Sequence, residues 1–211
     1  MHLTSQDLTA IERIKKLNIV NAISGIRPAN LIGTKGREGT NLAIFNSVTH
    51  IGSSPPLLGI VLRPKDEVPR HTYENIISSG YYTINHVHKS FSIQAHYTSA
   101  KFESDVSEFT SCGLSEEYLF GFEAPFVKES RVKLGMRFVE EIPIKLNNTM
   151  LIIGEIMHLT IPDGIMDDEG QLDLEEAGST GVSGLNTYYQ ISKAHKLPYA
   201  RTHQVPHFRN T

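Results

Sequence analysis

Between residues 40 and 62, two apolar runs are separated by small polar residues and the double proline Pro55-Pro56. Val48, Ile51, Leu57, Leu58, Ile60, Val61 and Leu62 supply the bulk of a core. Asn41, Asn46, Ser47, Thr49, Ser53 and Ser54 supply amides and hydroxyls with no charge among them. Strands carrying apolar residues beside uncharged donors suit a planar, polar heterocycle, which takes hydrogen bonds on its rim and flat contacts on its faces. An ordinary barrel rim turned by Ser and Asn has the same composition. The residues alone leave both readings open.

The flanking segments extend the β pattern. Residues 4–17 read as a short amphipathic helix on the outside of the barrel, with Thr4 and Asp7 as a capping box and Leu8, Ile11 and Ile14 at helical spacing. Residues 19–32 read as extended, and the turn signal Gly36-Arg37-Glu38-Gly39 makes a hairpin with the stretch that follows. Residues 63–70 form a charged loop. Residues 72–80 predict a two-turn helix with Thr72 as N-cap and Gly80 just past its end.

Further on, residues 81–87 predict a strand, and residues 91–98 and 103–109 short helices. Strands follow over 131–139, 142–145 and 150–161, with a turn at Asn147-Asn148. Residues 161–184 carry seven acids and then a Gly/Ser-rich run, which reads as a solvated surface loop. An extended tail, residues 185–211, contains Tyr188, Tyr189, Leu197 and Tyr199. Many strands, few helices and no βαβ rhythm predict a mainly β fold, a closed antiparallel barrel with peripheral helices. The length, 211 residues, suits one domain, residues 1–211.

Composition narrows the partners. A net charge of −3 with no basic block argues against nucleic acid. No apolar run approaches the roughly 20 residues of a membrane span, and residues 1–20 lack the apolar centre of a signal peptide. With Cys112 as the single cysteine, the expectation is a cytoplasmic protein.

Most familiar site chemistries fail on spacing. The two glycine triplets, at 33, 36 and 39 and at 178, 181 and 184, lack the Gly-x-Gly pair and the βαβ context of a dinucleotide fold. Any nicotinamide cofactor therefore binds transiently, as a substrate. Aligning Gly170 with the glycine of a calcium loop puts Ile165 where a carboxylate belongs. Among ten histidines, His86 and His88 share one strand face, with His50, His71 and His96 as further candidates. Spacing does not show the convergence a metal needs, so no metal site is expected. Cys112 has no evident partner base. Phosphate binding without a Gly-rich loop remains: Thr72 offers a hydroxyl at the start of a helix, where the dipole favours an anion, and Lys101 offers a cation.

Four motifs occur in order. They are Asn41-x-Ala43-x-Phe45-Asn46-Ser47, then Ser53-x-Pro55-Pro56-Leu57, then Thr72-Tyr73-x-Asn75-Ile76, and finally Tyr82-Thr83-x-Asn85. Together they resemble the flavin reductase-like FMN-binding split-barrel family, over roughly residues 18 to 200. The resemblance implies an antiparallel split β-barrel of about six strands with short peripheral helices, and a homodimer with FMN at the subunit interface. It implies that Asn41, Ser47, Thr72 and Lys101 contact the flavin or its phosphate. Asn46, Val48 and Thr49 join Asn41 and Ser47 along the ring and ribityl chain, and Tyr188 or Tyr189 approaches from the tail. Residue 47 is Ser here where some members of the family place an aromatic. No catalytic side chain is expected, since the flavin carries the redox step. The implied activity is hydride transfer from NADH or NADPH to FMN and on to an acceptor. An FMN-binding carrier or sensor with little turnover, and a flavin-free barrel for another small ligand, stand as alternatives.

Overall fold

The computed structural model describes residues 1–63 and 70–207, so most of the charged loop expected over 63–70 lies outside the described residues. The chain opens with helices α1 (Ser5–Ala10) and α2 (Arg13–Ala22). Strands β1 (Arg27–Pro28), β2 (Asn30–Lys35), β3 (Thr40–Phe45), β4 (Thr49–Ser53) and β5 (Pro56–Leu62) follow. Helix α3 (His71–Ser79), strand β6 (Tyr81–His86), and helices α4 (Ser92–Tyr97) and α5 (Glu108–Ser111) make up the middle. The remainder is β7 (Glu116–Glu117), β8 (Phe126–Val127), β9 (Lys133–Ile144), β10 (Thr149–Thr160), β11 (Thr180–Ser183) and β12 (Thr187–Gln190).

Seven strands, against about six expected, form one antiparallel sheet in the order β3-β2-β6-β9-β10-β5-β4. Two smaller antiparallel sheets, β1-β11-β12 and β7-β8, complete the split barrel. The β2–β3 hairpin closes through Gly36 N–H to Gly39 O at 2.8 Å, in the register Lys35 with Thr40. Gly39 has φ +146°, which few residues other than glycine adopt.

Strand alternation explains the two cores. Along β2, Ile32 points into the barrel with Ile60, Tyr82, Ile84, Met136 and Ile152. Its neighbour Leu31 points outward, to be covered by Leu42, Val87, Phe91, Phe109 and Val182. Burying such side chains contributes about 1.5–3 kcal/mol each before entropy is counted. With apolar residues on both faces, β2 reads as a continuous run rather than an alternation. Across the barrel, Gly154 leaves the space that the Tyr82 ring fills, and any side chain there would overlap the phenol.

Several expectations need correction. The single helix over 4–17 is two helices: the Thr4–Asp7 capping box forms, but the backbone turns extended at Ile11 and helix resumes under Glu12 as a second cap. No residue of either helix is buried, so neither packs into the barrel wall. Residues 19–22, expected to be extended, finish α2. The strands expected over 131–139 and 142–145 are one strand, β9, whose pairing with β10 absorbs two register shifts. In the region 103–109, only Glu108 and Phe109 are helical. The segment 161–184 is exposed only in part: Ile165 and Ala177 join the barrel core, and β11 pairs with β1 and β12. Within the tail, residues 187–190 form strand β12, and a short helical turn stands at Thr202–Gln204. Among the described residues, no helix is long and apolar enough to cross a membrane.

Candidate functional site

Helix α3 lies across the β2–β3 hairpin, held by side-chain hydrogen bonds. Asn75 Nδ2 donates to Thr34 Oγ1 at 3.1 Å, and Asn41 Nδ2 donates to Thr72 Oγ1 at 3.0 Å. Thr72 is not the N-cap. Arg70 takes that place without a side-chain capping bond, and Thr72 sits one residue inside the helix. Gly80 ends the helix as expected, left-handed at φ 76°.

Because Thr72 Oγ1 accepts from Asn41, its own O–H remains a donor. It lies in the first turn, at the positive end of the helix dipole, and both side chains are buried. Buried donors and a helix N-terminus at one spot are what an anion requires.

The opposite side of β3 is tied to α5. Leu42 N–H donates to the Glu108 carboxylate at 2.8 Å, and Thr40 Oγ1 lies 2.9 Å from Ser107 Oγ while donating to Glu116. Burial pushes the Glu108 carboxyl upward, against the Leu42 bond and the nearby His71 charge. Sequence reading passed over Glu108, because a glutamate in a polar stretch carries no mark of burial.

The other expected residues are more dispersed. Asn46 Nδ2 donates to Gly184 O at 2.8 Å, fastening the turn between β11 and β12 to the end of β3. Ser47 Oγ bridges Val61, donating to its O and accepting from its N–H, both at 3.1 Å. Val48 packs on the barrel core. Thr49 is exposed on β4, opposite Gly59. Lys101 is exposed and, among the described residues, makes no hydrogen bond or ion pair. Tyr189 is 40% exposed. Its neighbour Tyr188 is half-buried, with its hydroxyl 3.2 Å from His96 Nδ1. The structure therefore joins Asn41 to Thr72 and puts Asn46, Ser47 and Val48 in the following segment. It shows no contact from Lys101 or Tyr189 to the pair.

The histidines have local partners. His86 Nδ1 lies 3.1 Å from Ser179 Oγ, and burial lowers its pKa to about 4, which leaves it neutral at physiological pH. His88 is 2.8 Å from Ser90 Oγ and His50 is 3.1 Å from Ser53 Oγ. Among the described residues, no group of three or more His, Cys, Asp or Glu converges as a metal site would require. Burial and the Glu108 charge raise the Cys112 thiol pKa, which makes it a poor nucleophile.

Comparison with known proteins places this geometry among relatives. The profile of the flavin reductase like domain matches residues 26–178. A candidate flavin reductase with split barrel domain from Shewanella frigidimarina NCIMB 400 superposes with a TM-score of 0.90 at 44% identity. The match covers 95% of this chain and 100% of that one. Nitrilotriacetate monooxygenase component B from Bacillus cereus shares the fold, with a TM-score of 0.81 at 16% identity over 93% of this chain and 98% of the other. An uncharacterized protein of Deinococcus radiodurans is 26% identical over 95% of this chain and 93% of its own length.

Proposed function

The chain belongs to the flavin reductase-like domain family, and from that premise we propose that it is an FMN-dependent oxidoreductase drawing hydride from NADH or NADPH. The observation that carries the reading is the buried Asn41–Thr72 pair at the start of α3. FMN fits this donor set better than a neutral ligand does, because the Thr72 O–H and the helix dipole favour an anion such as its phosphate.

Lys101, exposed and without a partner among the described residues, supplies a second positive charge. Asn41 holds the Thr72 oxygen so that its proton faces the anion. The segment of Asn46, Ser47, Val48 and Thr49 lines the ring and ribityl chain. Ser47 and Asn46 use their side chains to fix the segment, so the backbone groups are left to meet the ligand. When bound, FMN accepts hydride and passes electrons on, and the protein supplies binding, orientation and shielding from water.

A homodimer completes the proposal. Helix α2 exposes Ile14 and Val20, Ile23 is exposed at its C-terminal cap, and the tail exposes Leu197, Tyr199 and Val205, more apolar surface than a solvated arm requires. A second copy covers it and brings Tyr189 or Tyr188 toward the flavin.

The test is an absorbance spectrum with FMN, followed anaerobically after NADH and then NADPH. Bleaching within seconds supports the reductase and selects the donor. Bound flavin that stays yellow favours a carrier or sensor, and no bound flavin overturns the reading.

A further inference from the structure

Asn41 is flanked by two residues that one short segment holds. Thr40 is tied to Ser107 and Glu116, and Leu42 to Glu108. β3 is an edge strand of the main sheet, with β2 on one side only. The outward N–H of Leu42 has no strand to pair with, yet Leu42 is fully buried. Glu108, itself only 6% exposed, stands where the missing strand would be. Among the ties on this edge it is the one made by a buried carboxylate, a much stronger acceptor than a neutral oxygen.

We propose that Glu108 is a positioning residue of the flavin site: it clamps the free edge of β3, keeps Asn41 aligned on Thr72, and so sets flavin affinity. The inference rests on the reading that the Asn41–Thr72 pair takes the flavin phosphate. The charged and titratable groups around Glu108 are His71 from α3 and Cys112 from its own helix, with Glu116 nearby on Thr40.

The clamp has a sign that separates it from its rivals. Acting through the strand, loss of the Glu108 charge weakens flavin binding. Acting directly on the phosphate, the carboxylate would repel it, and loss of charge would tighten binding. A merely structural role predicts a change in stability without a change in the pH profile of affinity. Burial raises the Glu108 pKa, so keeping it charged opposes folding, and a neutral replacement that retains an acceptor folds at least as stably.

The experiment measures FMN affinity by fluorescence quenching for the full chain, Glu108→Gln, Glu108→Ala and Asn41→Ala between about pH 4.5, the ordinary glutamate value that burial raises, and about pH 8, with urea midpoints beside it. Glu108→Gln keeps an oxygen for Leu42 but no charge. It is expected to bind FMN roughly fivefold more weakly at the upper pH. The gap closes as wild-type Glu108 protonates, and the urea midpoint is no lower than wild type. Equal or tighter binding by Glu108→Gln overturns the proposal. If Glu108→Ala does not fold, Glu108→Gln decides alone. Unchanged FMN affinity in Asn41→Ala overturns the phosphate reading and this proposal with it. Weakened binding there, with Glu108→Gln at wild-type affinity, overturns only the positioning role.

Discussion

Two polar regions hold this molecule's loops in place, and they do so by opposite means. At the β3 corner, Asn41, Thr72 and Glu108 are buried and make hydrogen bonds of 2.8–3.0 Å between separate elements. In the segment after β10, the acids face water and grip the tail. Lys196 reaches Asp167 at 2.8 Å and Glu169 at 2.6 Å, Lys193 pairs with Asp173, and Lys193 N–H meets Glu175 at 2.8 Å. Glu169 is 69% exposed and Lys196 45%.

The second region has more charge and less leverage. Exposed ions lose little by separating, because water replaces each partner and salt screens the pair. A buried donor that loses its acceptor has no such replacement. Burial, more than charge count, decides which contacts fix geometry. The same contrast recurs within the acidic segment itself, whose inner end carries Ser179 against mostly buried His86.

The largest test falls on that inner end. His86 has a folded pKa near 4, below its ordinary 6.5, so the unfolded chain takes up the proton first. Its contribution is complete above about pH 6.5 and lost as pH falls toward about 4, amounting to about 3 kcal/mol. The difference in urea midpoint between wild type and His86→Gln, followed through that window, should shrink on the acid side. A constant difference would place His86 with the exposed groups.

Next comes Glu108→Ala, which strands the buried Leu42 N–H. Its expected cost is about 2 kcal/mol in chemical denaturation at neutral pH. A smaller effect is expected for Asn41→Ala, about 1 kcal/mol in stability. Its FMN affinity should fall by more than that loss accounts for, since Thr72 is then no longer held. A proportionate loss would count against the corner as a binding site.

Smallest of all is the response of the ion-paired tail. At about 1 M salt, where screening acts over about 3 Å, trypsin cleavage after Lys193 and Lys196 should accelerate while the global unfolding midpoint shows no matching loss. A midpoint that falls together with tail release would break the contrast between the two regions.

Much of the fold was readable in the chain. The Gly36–Gly39 turn, the Asn147–Asn148 turn, the Gly80 helix stop and the Thr4–Asp7 capping box each act within a few residues, and all form. The site was readable in part. Asn41 and Thr72 are motif residues, but their hydrogen bond to each other was not foreseen, and the role of N-cap fell to Arg70. Local propensity suits Thr72 to a cap, whereas a hydrogen bond from a strand 31 residues away drew its hydroxyl elsewhere.

What the sequence determined by itself is what depends on near neighbours and on the order of motifs. It set the strand-rich pattern, the turns, the family and the short list of uncharged donors. Tertiary structure alone decided which of those donors converge, that Glu108 is buried, and that the acidic segment ends in a core strand. Those outcomes depend on contacts between residues 31 to 138 positions apart, such as Asn41 with Thr72, Leu42 with Glu108 and Asn46 with Gly184. Burial, and with it the strength of every polar contact, is a property of what the rest of the chain packs around a residue.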